Sequence, residues 1–180
     1  MSFITFETNS ENGYPSRTIE NASADVTIAF AVDFNSAGEK LTKKAVLQQG
    51  KLYIPFPIEE YTPNLLTDVA NQIIALNKSE ITLNIAGNGM YTLRNSGFKE
   101  QEIITYLTWR ALDSIIKKIK DKVKVTLIRS GGQTGFDEAG IKAAIKLGIP
   151  ALVHAPKNWL FRDIEGNDYT NEEVFKNRFA

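Results

Sequence analysis

Apolar runs alternate with stretches of helical period along most of the chain. Asp25 to Phe34 (DVTIAFAVDF) is apolar at most positions, as a strand buried on both faces of a parallel sheet would be. Ser36-Ala-Gly-Glu39 is a capping box and opens a helix to about Gln48. Lys51 to Pro57 predicts a second strand. Leu65, Leu66, Val69, Ile73 and Leu76 recur at helical spacing within Asn64 to Leu76. Ile81 to Ala86 reads as a third strand, followed by Gly87-Asn88-Gly89. Lys99 to Lys120 carries an apolar stripe of Ile104, Leu107, Ala111, Leu112, Ile115 and Ile119. Val125 to Ile128 predicts a strand, Thr134 to Leu147 a helix stopped by Gly148, and Ala151 to His154 a fifth strand. The residues up to Ser23 lack this order. They are rich in Asn, Ser, Thr and Gly, with turn signals at Asn12-Gly13 and Pro15, and read as an extended arm or short hairpin.

Strands alternating with helices imply βαβ units. The expected fold class is α/β: a Rossmann-like, mainly parallel sheet with helices on both faces. One domain spans residues 1–180, with an N-terminal arm over 1–23 and a polar C-terminal tail over 157–180. In such sheets ligands bind at the carboxyl ends of strands, near the reversal of strand order. The loops at those ends are Asn35-Ser36, Gly87 to Gly89, Ser130 to Gly135, and His154 to Lys157.

Composition narrows the chemistry. The 180 residues are 43% hydrophobic, enough for a real core. Lys plus Arg and Asp plus Glu both number 21, so the net charge is zero, which argues against general nucleic-acid or membrane-surface binding. There is no cysteine and one histidine, so disulfides, thiolate metal sites and His-rich clusters are out. No metal and no cofactor is expected. No basic-then-apolar leader is visible at Met1 to Glu7, and no apolar run spans a bilayer, so the expected location is cytoplasmic.

The most informative stretch is Arg129-Ser130-Gly131-Gly132-Gln133-Thr134-Gly135, between a strand and a helix. Paired glycines let backbone approach a ligand, and the new helix presents free N–H groups to an anion. A side chain at Gly132 would fill the space that anion needs. The run is neither a dinucleotide fingerprint nor a Walker loop. The plain alternative is a tight turn with no ligand. Thr134 reads as the N-cap. Asp137 and Glu138 either complete the cap or serve as carboxylates beside a ribose. Arg129 either reaches a phosphate bidentately or makes a surface ion pair. Gly87, Asn88 and Gly89 form a second close-approach loop at the same edge, or a plain one. His154 and Lys157, at a strand end, are candidate ligand contacts, Lys157 as a point charge.

Ser130-Gly-Gly-Gln-Thr-Gly-Phe-Asp137, followed by Ala143-Ala-Ile-Lys-Leu-Gly-Ile-Pro150 and Ala155-Pro-Lys157, resembles the SLOG superfamily. The likeness is nearest to the branch often labelled molybdenum-cofactor carriers. It extends more distantly to LOG phosphoribohydrolases and DNA-processing proteins, and covers about the last third of the chain. Short SLOG proteins of this kind also look like ones carried by phages. The resemblance implies a Rossmann-like sheet, homo-oligomers and a pocket for nucleotides or nucleotide-derived signals, with Gly131, Gly132, Thr134, Gly135 and Asp137 matching the motif. The LOG glutamate aligns with Glu138, but the proline and Gly-Thr pair of that family are replaced by Ser130 and Thr134-Gly135. The carrier branch's Cys-Pro-Lys-Gly is here Ala155-Pro-Lys-Asn158, so no cysteine chemistry carries over.

Two functions follow as expectations, beside a third reading as a structural or interaction protein whose glycine turn is empty. One is a protein that senses or sequesters a nucleotide or nucleotide-derived signal, cyclic or ADP-ribose-like, with phosphates on the Gly131 to Gly135 turn. The other is a nucleoside 5′-monophosphate N-glycosidic hydrolase using Glu138 or Asp137. Tyr106, Trp109 and Arg110 lie off the long helix's main stripe, as extra core surface or a subunit interface. With Phe175, Arg178 and Phe179 in the tail, they predict a homodimer or tetramer in which Arg162 or Arg178 reaches a neighbour's pocket.

Overall fold

A computed structural model describes residues 3–180. Along the chain run β1 (Ile4–Thr8), α1 (Pro15–Asn21), β2 (Val26–Ala31), α2 (Ala37–Gln48), β3 (Leu52–Pro57), α3 (Pro63–Ile74) and β4 (Glu80–Gly87). They are followed by α4 (Met90–Leu93), α5 (Gln101–Ile119), β5 (Lys124–Ser130), α6 (Phe136–Leu147) and β6 (Ala151–Ala155). A small hairpin, β7 (Phe161–Arg162) with β8 (Asp168–Tyr169), and α7 (Glu172–Asn177) close the chain. Strands β1 to β6 form one all-parallel sheet in the order β1-β6-β5-β4-β2-β3. Right-handed crossovers put α1 and α2 on one face and α3, α5 and α6 on the other, and the helices of each set touch one another. The α/β reading therefore holds. Among the described residues no helix is long and apolar enough to cross a membrane.

The apolar run of β2 is buried at all six positions, as its central place requires. Phe30 lies between Phe56 and Phe136, with ring centres 4.7 and 5.5 Å away, and joins the sheet core to α6. Ser36 caps α2 as expected, accepting from the Glu39 amide at 3.3 Å.

Three expectations are corrected. Residues 3–23 are not an extended arm or short hairpin but a strand and a helix: β1 pairs with β6, Ile4 against Ala151 through Thr8 against Ala155, and adds a sixth strand. Pro15 opens α1, where its missing N–H costs nothing. This helix buries Asn21 and exposes Ile19, the reverse of ordinary amphipathic order, so no apolar stripe announces it. Thr134 does not cap α6, whose N-cap is Gly135 with no side-chain hydrogen bond. Finally, the tail is not a polar appendage. Phe175 and Phe179 are buried in the single chain, against Phe6, Trp159 and Phe161. They need no partner subunit to cover them.

Candidate functional site

Strand order reverses between β2 and β4: β2 leads outward to β3, and β4 leads the other way to β5. Their carboxyl ends separate into a crevice, the expected place for a ligand. Asn88 ties the two loops that leave these strands. Its Oδ1 accepts from the amides of Val32 and Asp33 at 2.9 and 3.0 Å, and its Nδ2 donates to the Asp33 carbonyl at 3.0 Å. A cavity of about 470 Å³ occupies the crevice. One wall comes from Tyr14, Arg17 and Thr18 of the α1 region, another from Ser36 to Glu39 at the start of α2. Gly87, Asn88 and Gly89 form the back, with Gln133, Thr134 and Asp137 beside them and Tyr91 and Arg162 completing the lining.

The charged groups of the cavity are unequally satisfied. Arg17 Nη1 donates to Asp137 Oδ2 at 2.8 Å, and the Gln133 amide donates to the same oxygen at 3.3 Å. Arg17 reaches this position by crossing Gly131, where a Cβ would lie 1.7 Å from Nη1. Burial pushes the Asp137 carboxyl up, against the pull of Arg17 and the Gln133 amide. Glu39 is 4% exposed and has no such help. No described group hydrogen-bonds its carboxyl, and its Oε2 is buried without a partner. Burial first, then the negative charges of Asp137 and Asp33, push Glu39 up to about 8 against the pull of Arg17. The start of α2 favours the ionised form by only about 0.3–1 kcal/mol. That is less than one pKa unit and does not reverse the shift.

Several groups in and just after the glycine turn bond within the protein itself. The Gly135 amide donates to Gln101 Oε1 at 2.6 Å, and the Gly135 carbonyl accepts from Gln101 Nε2 at 2.8 Å. The Phe136 amide goes to the Asn88 carbonyl at 3.3 Å and the Glu138 amide to the Gln133 carbonyl at 2.9 Å. Gln133 and Thr134 carry the β7–β8 hairpin. Gln133 donates to the Leu160 carbonyl at 2.8 Å and accepts from the Arg162 amide at 3.2 Å, while Thr134 donates to the Arg162 carbonyl at 2.8 Å. This places Arg162 in the cavity lining. There its guanidinium forks onto Asp168 at 2.9 and 3.1 Å, and Asp168 also accepts from Tyr14 at 3.3 Å.

The predicted site residues thus divide. Gly87, Asn88, Gly89, Gln133, Thr134 and Asp137 line one cavity. Ser130, Gly131, Gly132 and Gly135 lie outside its lining. Ser130 is fully buried, and a Cβ at Gly132 would meet Phe175 and Val153 rather than empty space. Arg129 is turned to α1 and the residues after it, donating to Asn21 at 3.0 Å and Ser23 at 3.3 Å. His154 faces Glu7 and Asn9 on the β1 side, and Lys157 is exposed, both off the cavity. Glu138 gives one oxygen to Lys142 at 2.7 Å and the other to Arg178 at 2.8 Å, which pins α7 to α6. Arg178 stays within its own chain for the same reason. Sequence reasoning missed Tyr14, Arg17 and Glu39. The capping box did point at Glu39, but its carboxyl turns inward instead of back to the Ser36 amide. Among the described residues no group of three His, Cys, Asp or Glu side chains could hold a metal ion.

The fold and cavity define an α/β protein with a small-molecule-sized pocket at its switch point. No family model, curated protein or solved structure matches the chain.

Proposed function

We propose that the switch-point cavity binds a nucleotide or nucleotide-derived small molecule and that the protein senses or sequesters it. The observation carrying this reading is Glu39: a carboxyl buried without a partner in a cavity wall needs a partner from outside the protein. A cavity of about 470 Å³ suits a ligand of nucleoside size. The buried carboxyls favour an uncharged, hydrogen-bonding end of that ligand, a base or sugar, deep in the pocket. Its phosphate then lies outward, near Arg162 and the first amides of α2, which have no partner within the helix. This moves the phosphate away from the Gly131 to Gly135 turn, whose Gln133 and Gly135 amides bond within the chain and whose Gly131, Gly132 and Gly135 lie outside the cavity lining. The SLOG-like run supports the nucleotide class. Here its Gln133 and Thr134 act by holding Arg162 in place.

The hydrolase alternative has weaker support. Glu138 is outside the pocket with both oxygens taken by cations, and Asp137 is locked to Arg17. The test is calorimetric titration of wild type and Glu39→Leu with nucleoside monophosphates, cyclic nucleotides and ADP-ribose, with chromatography of the mixtures. We expect at least one ligand to bind intact to wild type and to lose at least tenfold in the variant. Binding by neither protein removes the reading; release of free base favours the hydrolase.

We also propose self-association through α5, where Tyr106 and Ile103 are 55% and 45% exposed beside Trp109. Sedimentation of wild type above the 20.1 kDa monomer, and of Trp109→Glu at it, is expected. A wild-type monomer overturns this.

A further inference from the structure

The partnerless carboxyl says more than that a ligand is held; it says which kind of atom the ligand buries. Glu39 is surrounded by groups from four elements. Among the described residues Arg17 of α1 is the cation facing it, and Asp137 of α6 already takes that guanidinium at 2.8 Å. Asp33, after β2, adds a second negative charge, and Tyr53 of β3 is a half-buried phenol pushed up to about 12 by desolvation and then by Glu39 itself. Ionising Glu39 would therefore place a negative charge with no cation of its own in a buried wall beside another carboxylate. A neutral carboxylic acid avoids this. It has one O–H to donate, whereas a carboxylate only accepts.

We propose that Glu39 enters the complex as a neutral acid and donates a hydrogen bond to an acceptor, a ring nitrogen or carbonyl oxygen, at the buried end of the ligand. The inference rests on the nucleotide-binding reading above and deepens it. The pocket selects ligands that bury an acceptor opposite Glu39. A ligand burying only donors there leaves the acid's proton unmatched. Binding is then linked to protonation of this one side chain. With Glu39 at about 8, affinity is level through neutral pH and falls tenfold for each pH unit above that value. The two tyrosines of the region, Tyr14 and Tyr53, both lie at about 12 and do not titrate in that window.

The experiment measures the affinity of adenosine, guanosine, cytidine and uridine, and of their 5′-monophosphates, from pH 6.5 to 10. Calorimetry at pH 9 in buffers of different ionisation enthalpy counts the protons taken up. For any nucleoside that binds, wild type should take up close to one proton more per ligand at pH 9 than Glu39→Gln, and lose about tenfold more in affinity between pH 8.5 and 9.5. Glu39→Gln carries a permanent amide donor. With adenosine or cytidine, whose bases stay neutral in this range, it should take up none and show a flat profile; with guanosine or uridine it should show only the ligand's own loss of a ring proton; and it should bind at least tenfold more tightly than wild type at pH 9.5. For adenosine, one of the 1-deaza, 3-deaza and 7-deaza analogues should lose at least tenfold against wild type and little against Glu39→Leu. Binding by wild type without proton uptake and with a flat profile overturns this proposal while leaving the binding reading intact. Failure of every nucleoside and nucleotide to bind overturns both.

Discussion

The starts of α2 and α6 both border the cavity and are built in opposite ways. At α6 both carboxyls and the first amides find partners within the chain: Gly135 with Gln101, Phe136 with Asn88, Asp137 with Arg17, Glu138 with Lys142 and Arg178. At α2 the cap is ordinary, yet Glu39 is left buried with nothing to bond. Two carboxylates of similar burial thus differ wholly in role. Glu138, at 4% exposure, is a structural clamp, and Glu39, also at 4%, is an open valence. A crowded glycine turn reports how closely parts of the protein approach one another. A ligand site is marked instead by what the protein leaves unpaired.

Breaking the clamp should have the largest effect. Arg178→Ala removes the cation over Glu138 and the stacking on Phe161, Phe175 and Phe179. A loss of up to about 3–5 kcal/mol is expected in denaturant unfolding, because the buried Glu138 keeps only Lys142 and one of its oxygens is left unpaired, while the aromatic packing is lost with it. A loss below about 1 kcal/mol would make the clamp an incidental surface pair.

The same comparison predicts an opposite response at α2. Glu39 is raised above its unfolded value, so its stabilising contribution is complete below 4.5 and is lost as pH rises to about 8. Between pH 5 and 7 wild type should lose roughly 2–3 kcal/mol that Glu39→Gln does not lose. Parallel stability curves for the two proteins would show that Glu39 has a partner after all.

Gly132→Val sharpens the reading of the turn. Its Cβ would lie 2.5 Å from Phe175 Cζ and 2.7 Å from Val153 Cγ1, at a backbone φ of +74°. Destabilisation of about 1–3 kcal/mol or more, measured by thermal and denaturant unfolding, is expected from overpacking alone. An unchanged stability would return the turn to the list of ligand contacts.

The smallest effect is at the rim. Asp168→Asn breaks an exposed pair with Arg162 and should change stability by less than about 1 kcal/mol. It should also free Arg162 and tighten the binding of a 5′-monophosphate relative to its nucleoside. An unchanged ratio would place the phosphate elsewhere.

Most of the fold was legible because β2, β4 and α5 follow periodicities that burial imposes. The edge strand β1 was not, being short, half-buried and mixed in character. Nor was α1, which buries Asn21 and shields Arg17 while leaving Ile19 in water. The site divided along similar lines. Gly87 to Gly89, Gln133, Thr134 and Asp137 were found because switch-point loops are predictable from element order. Arg17 comes from an element with no visible motif, Glu39 was visible only as the end of a capping box, and the two meet only through long-range packing. Glu138 misled because a carboxylate at a helix start looks the same in sequence whether its partners are internal or not.

The most direct measurement is a crystal structure of the protein with whichever nucleotide binds best in titration. The account predicts ligand density inside the switch-point cavity. A base or sugar atom should lie within hydrogen-bonding distance of Glu39, with the phosphate at Arg162 and the start of α2. A ligand seated on the Gly131 to Gly135 backbone, or outside the cavity with Glu39 still unpartnered, would contradict it.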